Sequence, residues 1–266
     1  MDELYKSSNK ALKTGVASAC LQVTSLLWIR TVNNYQYRYG TNLKDTFKIL
    51  YKDGGILRFY KGYIPSLFVA STCKFADLNS YYYTKNNNFN DIDKLLIISS
   101  VSSITRLGVI PIDTLDVFLQ VEGNKGINTL YNKTKDHGIK VLYYGASPWI
   151  LNNFVGTFSW FGVHNYLNDK YKNKFNNHFN IKHGIIGLSS SIVTDIITNP
   201  LRILKIYKQS NEKNIGYKTT INNIITERGI SELLFRGLKT RLIIHGIQSV
   251  FFTVIWKNLE KSFKIN

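Results

Sequence analysis

The chain has 266 residues, with 34 Lys and Arg against 17 Asp and Glu for a formal net charge of +17, and 44% of its residues are hydrophobic. That apolar share is ample for a packed core and excludes global disorder. The charge fits nucleic acid, an anionic membrane surface, or a bias toward Asn, Lys, Ile and Tyr, and does not choose among them.

Cys20 and Cys73 cannot form a disulfide framework or a cysteine-based zinc site on their own. The opening MDELYKSSNK lacks the apolar core of a secretory signal and the Arg-rich character of a cleaved transit peptide, so any membrane targeting is expected to be internal. Apolar segments then follow in chain order, at Thr14–Ile29, Leu95–Thr105, Val141–Asn168, Gly184–Thr194 and Leu242–Trp256. Only Val141–Asn168 exceeds twenty residues without an Asp, Glu, Lys or Arg; the others run into Arg30, Arg106, Asp195 and Lys257. Each reaches the ~20 residues of a bilayer span only if one charge is tolerated, which needs a polar interior. A soluble helical repeat is the alternative.

Internal repeats separate these readings. DGGILRFYKGYIP (Asp53–Pro65) recurs as DHGIKVLYYGASP (Asp136–Pro148) and loosely as RGISELLFRGLKT (Arg228–Thr240), with 83 residues from Gly62 to Gly145 and 92 from Gly145 to Gly237. A second word precedes each copy: QVTSLLWIR (Gln22–Arg30), IPIDTLD (Ile110–Asp116) and NPLRILK (Asn199–Lys205). Aligning Val23, Pro111 and Pro200 gives separations of 88 and 89.

These words resemble the signature of the mitochondrial carrier family: Pro-x-acid-x-x-base near the end of each odd helix, then acid-Gly and aromatic-base-Gly at the start of each even helix. The resemblance implies an all-α membrane protein with six transmembrane helices in three tandem two-helix repeats (1–86, 87–176 and 177–266), short matrix-side helices and a threefold pseudosymmetric barrel. The spans are expected at Lys10–Thr31, Lys61–Thr84, Asp91–Val121, Tyr144–Lys170, Ile181–Lys208 and Arg236–Ser262, and the short helices at Leu43–Lys52, Gly126–Asp136 and Lys218–Glu227.

In the family the odd-helix prolines kink the helix and the acids and bases pair between repeats to close the matrix side. Here Pro111 and Pro200 supply two kinks, and the expected gate consists of Asp113, Asp116, Arg202 and Lys205, with Trp28 substituting bulk for charge. Asp113 can pair with Lys205 or Asp116 with Arg202; with Val23 as the proline position, α-helix one offers only Ser25 and Trp28 and no ion pair. The cytoplasmic-side word is weaker still, at Tyr81-Tyr82-x-x-Lys85, His164-Asn165-x-x-Asn168 and Trp256-Lys257-x-x-Glu260.

The resemblance places substrate halfway along the helices, against Arg106, Asp195, Arg241, Asn152, Asn153 and His245, with Lys74 and Asp77 slightly further along. Arg106 and Asp195 are alternatively partners of each other, and the asparagines and His245 alternatively packing residues. Lys61, Gly62, Arg236 and Gly237 read as lipid-headgroup contacts, with cardiolipin the expected lipid.

No phosphate loop, HExxH, GxSxG or Cys/His cluster is present, so neither an enzyme nor a cofactor is expected; the Asn132-Lys133-Thr134 sequon is a chance-level pattern. The leading expectation is a monomeric inner-membrane antiporter of a small anionic metabolite, nucleotide or carboxylate. The rival is a transport-inactive homologue organising the outer mitochondrial membrane. A nucleic-acid partner is not expected, because the basic residues fall in loops and helix ends and not in one groove.

Overall fold

The computed structural model describes residues 2–87, 89–171, 179–213 and 215–248, and those residues contain helices and no strand. In chain order they form α1 (Asp2–Tyr39), α2 (Leu43–Arg58), α3 (Tyr63–Asn86), α4 (Asp91–Glu122), α5 (Lys125–His137), a 3₁₀ turn (Ile139–Tyr143), α6 (Ala146–Lys170), α7 (Phe179–Ser210), α8 (Tyr217–Arg228) and α9 (Ile230–Phe235). A further helix, α10, occupies 238–248, and the remainder of the expected last span, with Trp256, Lys257 and Glu260, lies outside the described residues.

Helix ends follow local chemistry. α1 runs past the expected Thr31 because no Gly or Pro lies between Thr31 and Gly40, which turns at φ +64 with its N–H on Gln36 O at 2.8 Å. Asn42 caps α2 through Oδ1 to the Asp45 N–H at 2.8 Å. α2 is broken by non-helical backbone at Gly54-Gly55, so its first part ends close to the expected Lys52. Pro111 and Pro200 both lie inside continuous helices, α4 and α7.

The long helices pack as neighbours in chain order, α1 on α3, α3 on α4, α4 on α6 and α6 on α7. α10 returns to both ends of this series: Arg241 reaches Asp195 of α7, and Ile244 packs with Leu26 and Ile29 of α1. The odd-numbered members of the ring, α1, α4 and α7, also touch one another.

Three glycines make the same junction. Gly62, Gly145 and Gly237 begin α3, α6 and α10 with φ of +87, +83 and +67. A Cβ on Gly62 would lie 2.5 Å from Asp116 Oδ1 of α4, on Gly145 2.9 Å from Gln209 Cγ of α7, and on Gly237 2.8 Å from the Tyr37 ring of α1. Positive φ and close approach together exclude a side chain at each.

Three buried cations finish the long helices. Arg58 donates to Gln120 O and Val121 O at 2.9 and 2.8 Å at the end of α4, and Arg236 reaches Tyr37 O and Arg38 O at 3.4 Å at the end of α1. Lys133 donates to Asn211 O at 2.5 Å, just past α7. Each satisfies terminal carbonyls with a charge of the sign that the helix dipole favours. Burial, aided by the neighbouring Lys208 and Arg38 charges, pushes the Lys133 ammonium down to about 8 from its ordinary 10.5. Because the folded value lies below the unfolded one, the native chain binds fewer protons between those values, so stability from this site rises with pH from about 8 upward. Thermal melts between pH 7 and 10 should show the wild type gaining on Lys133→Met as pH rises; parallel curves would contradict the shift.

Polar residues share the interior with apolar ones such as Leu27, Ile110, Phe118 and Ile203. Ser66, Ser99, Ser102, Asp113, Thr114, Asp116, Gln120, Ser190, Asp195, Thr198 and Asn199 are buried, whereas Ile64, Phe68, Ile104, Leu151, Phe154, Ile185, Ile196 and Ile197 are exposed, Ile104 at 69%. One helix among the described residues, over Ile92–Glu122, is by itself long and apolar enough to cross a membrane.

Candidate functional site

The ring interior holds two layers of charge. The first lies beside the three glycine junctions. Lys205 of α7 contacts Asp113 of α4 at 2.7 Å, with side chains 11% and 1% exposed. Gln209 Nε2 donates to the same carboxylate at 3.0 Å, and the Trp149 ring lies 3.8 Å from Lys205 Nζ. The second pair is Arg30 of α1 with Asp116 of α4 at 3.2 Å. Ser66 Oγ donates to Asp116 at 2.7 Å and Gln120 Nε2 at 2.6 Å, so this buried carboxylate is fully engaged.

The Arg30 pair corrects the reading of the first repeat. Thr31 Oγ1 donates to Phe59 O and Thr114 Oγ1 to Leu142 O, both at 2.8 Å and both across 28 residues. Thr31 is therefore the counterpart of Thr114, and the residue matching Pro111 is Trp28 and not Val23. The first word reads Trp28-x-Arg30-x-x-Asn33, with Arg30 where the family has its acid and Asn33 where it has its base. Helix α1 does contribute an ion pair, of reversed polarity: base on α1, acid on α4. Sequence reasoning missed Arg30 although it ends the quoted word.

Trp28 does not plug this layer. It is half-buried, donates Nε1 to Ser25 O at 2.9 Å and packs with Phe47 of α2 at 6.0 Å between ring centroids. Arg202 does not meet Asp116 either. Its Nη1 donates to Asp195 Oδ1 at 2.7 Å on its own helix, and Asn33, 2% exposed, occupies the matching place on α1.

The second layer contains the expected substrate residues, in two groups. On one side Asp195 is fully covered, contacted by Arg202, by Arg241 Nε at 3.4 Å and by His245 Nδ1 at 2.6 Å. On the other, Arg106 contacts Asp77 at 3.4 Å and donates to Ser102 O at 2.9 Å, while Ser102 donates to Asp77. The alternative pairing of Arg106 with Asp195 is thus replaced by two separate partnerships. Asn153 Nδ2 donates to Ser103 Oγ at 3.3 Å, and the buried Asn152 Oδ1 has no partner among the described residues. Lys74 is half-buried and makes no ion pair among the described residues.

The expected headgroup contacts divide. Gly62 and Gly237 are tight junctions, and Lys61 is half-buried beside the first. Arg236 is 4% exposed and is spent on Glu232 at 2.9 Å, Glu227 at 3.6 Å and the α1 carbonyls, so it is a helix-end brace and not a surface cation.

A ring of long helices with buried charge layers and tight glycine junctions is the architecture of a membrane carrier. The mitochondrial carrier protein model matches residues 11–91 and 176–265, more than half of the chain, and the chain belongs to that family. It is also 22% identical over 200 residues to a mitochondrial carrier-like protein of Acanthamoeba polyphaga mimivirus, covering 74% of this chain and 76% of that protein. Membership makes solute transport in a mitochondrial membrane the function of its class.

Proposed function

We propose that the chain is an antiporter of a small anionic metabolite, a nucleotide or a carboxylate, working by alternating access in the inner mitochondrial membrane. The observation that carries this reading is the set of charged residues buried inside the ring, which suit a solute path, while the exposed Ile and Phe suit lipid. Six spans in three pseudosymmetric repeats belong to this reading, and the ring order and the glycine junction made three times support it. The Asp113–Lys205 and Arg30–Asp116 pairs form the matrix gate, with Gln209 and Gln120 holding their carboxylates.

The substrate layer favours an anion. Lys74, Arg106, Arg202 and Arg241 outnumber Asp77 and Asp195 there, a net charge of +2 with His245 neutral. Anionic lipid, cardiolipin among the candidates, occupies the outer surface near Lys61, and the protein works as a monomer without a cofactor.

Purified protein in liposomes, screened with labelled ADP, malate and glutamate, should show saturable counter-exchange of at least one probe. Arg106→Ala and Arg241→Ala should each reduce it at least ~10²-fold, because each removes a cation from the anion path while its acid stays behind, on Asp77 and Asp195 respectively. Stable insertion with no exchange of any probe would instead favour a membrane-organising role.

A further inference from the structure

Arg202 stands where the family word places its gate acid, two residues past Pro200. A basic residue there has no cationic or anionic counterpart on α1, where Asn33 sits. The guanidinium turns away from the gate and contacts Asp195, seven residues earlier on α7, at 2.7 Å. It thereby joins Arg241 and His245 on one carboxylate.

The exposures within this group are informative. The Asp195 side chain is 0% exposed, while those of Arg202, Arg241 and His245 are 17%, 26% and 21% exposed. The carboxylate is covered by its partners, and the donors keep part of their surface accessible. Two guanidiniums against one carboxylate leave a net charge of +1 with the imidazole neutral. Planar guanidiniums side by side suit the oxygens of a carboxylate or phosphate, which accept from two donors at once. Tyr37 and Asn199, hydrogen-bonded at 2.9 Å, border the group from α1 and α7 without adding charge.

We propose that Arg202 is a substrate ligand and not a gate residue, forming with Arg241 an oxyanion subsite whose charge is set by Asp195. Resting on the transport reading above, this assigns the third gate position no ion pair and makes Asp195 a resident competitor for the two guanidiniums. An anion reaching the subsite shares donors that Asp195 already occupies. Removing the carboxylate's charge therefore strengthens anion binding, the opposite of what losing a contact or a structural ion pair does.

The test combines binding and uptake on full-length protein. Binding of ADP and of malate is measured by ligand-induced thermal shift in detergent, and uptake of the same probes in liposomes. Asp195→Asn should lower the half-saturating concentration of the bound probe about tenfold, and Arg202→Gln should raise it about tenfold, the scale of one charged hydrogen bond. The rise in Arg202→Gln should appear in the half-saturating concentration for uptake as well as in binding, since a ligand contributing uniform binding shows in KM. Weaker binding in Asp195→Asn, or a fall in turnover with unchanged half-saturation in Arg202→Gln, would overturn the subsite. Binding that follows the predicted order without uptake would support the subsite while refuting the transport reading.

Discussion

Asp113→Asn and Lys205→Ala should each lower the stability of the purified protein by ~3–5 kcal/mol and suppress exchange, because either change leaves a charge buried without its counterion. The Asp113–Lys205 contact at 2.7 Å is almost wholly shielded. Gln209 and Trp149 are arranged around it and cannot take over the missing charge. The double change Asp113→Lys with Lys205→Asp should recover a substantial part of both stability and exchange. Recovery will be incomplete, since Gln209 Nε2 now donates to a carboxylate that would have moved to the other helix. Thermal unfolding with counter-exchange reads both effects; singles that behave like wild type would remove this pair from the gate.

The second large effect is expected at Asp116. Asp116→Ala deprives Arg30, Ser66 and Gln120 of their shared acceptor at once. Arg30 retains 34% exposure and can partly rehydrate, whereas the buried Ser66 hydroxyl and Gln120 amide cannot. The loss should be ~2–4 kcal/mol, mostly desolvation of groups left unpaired. Arg30→Asp with Asp116→Lys gives this position the family's usual polarity, acid on α1 and base on α4, and should keep the pair. Exchange by that double variant above the level of either single is the expected result. Equal impairment of all three would mean that the reversed orientation, and not the pair itself, is required.

Much of this arrangement is legible in the sequence, and the exceptions have physical reasons. Gly62, Gly145 and Gly237 were visible as a repeat word because their positive φ and close packing admit no side chain. Asp113 and Lys205 keep family-like positions beside Pro111 and Pro200. The first repeat misled because it lacks the proline, leaving a 16-residue apolar run from Thr14 to Ile29 with no fixed point. Spacing alone leaves the register open: Trp28 to Gly62 and Pro111 to Gly145 both span 34 residues, but Val23 to Gly62 spans 39 and Pro200 to Gly237 spans 37. An internal spacing set by the docking of Thr31 and Thr114 onto Phe59 O and Leu142 O is the better ruler.

Within the second charge layer, the residue types are legible in the sequence and their partners are not. Arg106 and Asp195 occupy matching places on α4 and α7, which made a mutual pair attractive. Asp77, on the adjacent α3, lies nearer to Arg106, and Arg202 reaches Asp195 along α7 itself. Arg236 looked like a surface cation because it adjoins Gly237; the nearby Glu227 and Glu232 and the open carbonyls of α1 bury it instead. Such choices depend on which charges face each other across helices, and repeat spacing carries no such information.

On the proposed reading, the interior of this ring is a gated solute path whose first-repeat gate residue is Arg30. A protein carrying Arg30→Cys and Asp116→Cys, with Cys20 and Cys73 replaced by Ser, tests it in one preparation. Treatment in liposomes with a short bis-methanethiosulfonate cross-linker, which spans the reach of the lost Arg side chain, should join α1 to α4 through two disulfides and stop counter-exchange, and reduction should restore it. Failure of the two cysteines to cross-link would contradict the register, and undiminished exchange after complete cross-linking would contradict the gate.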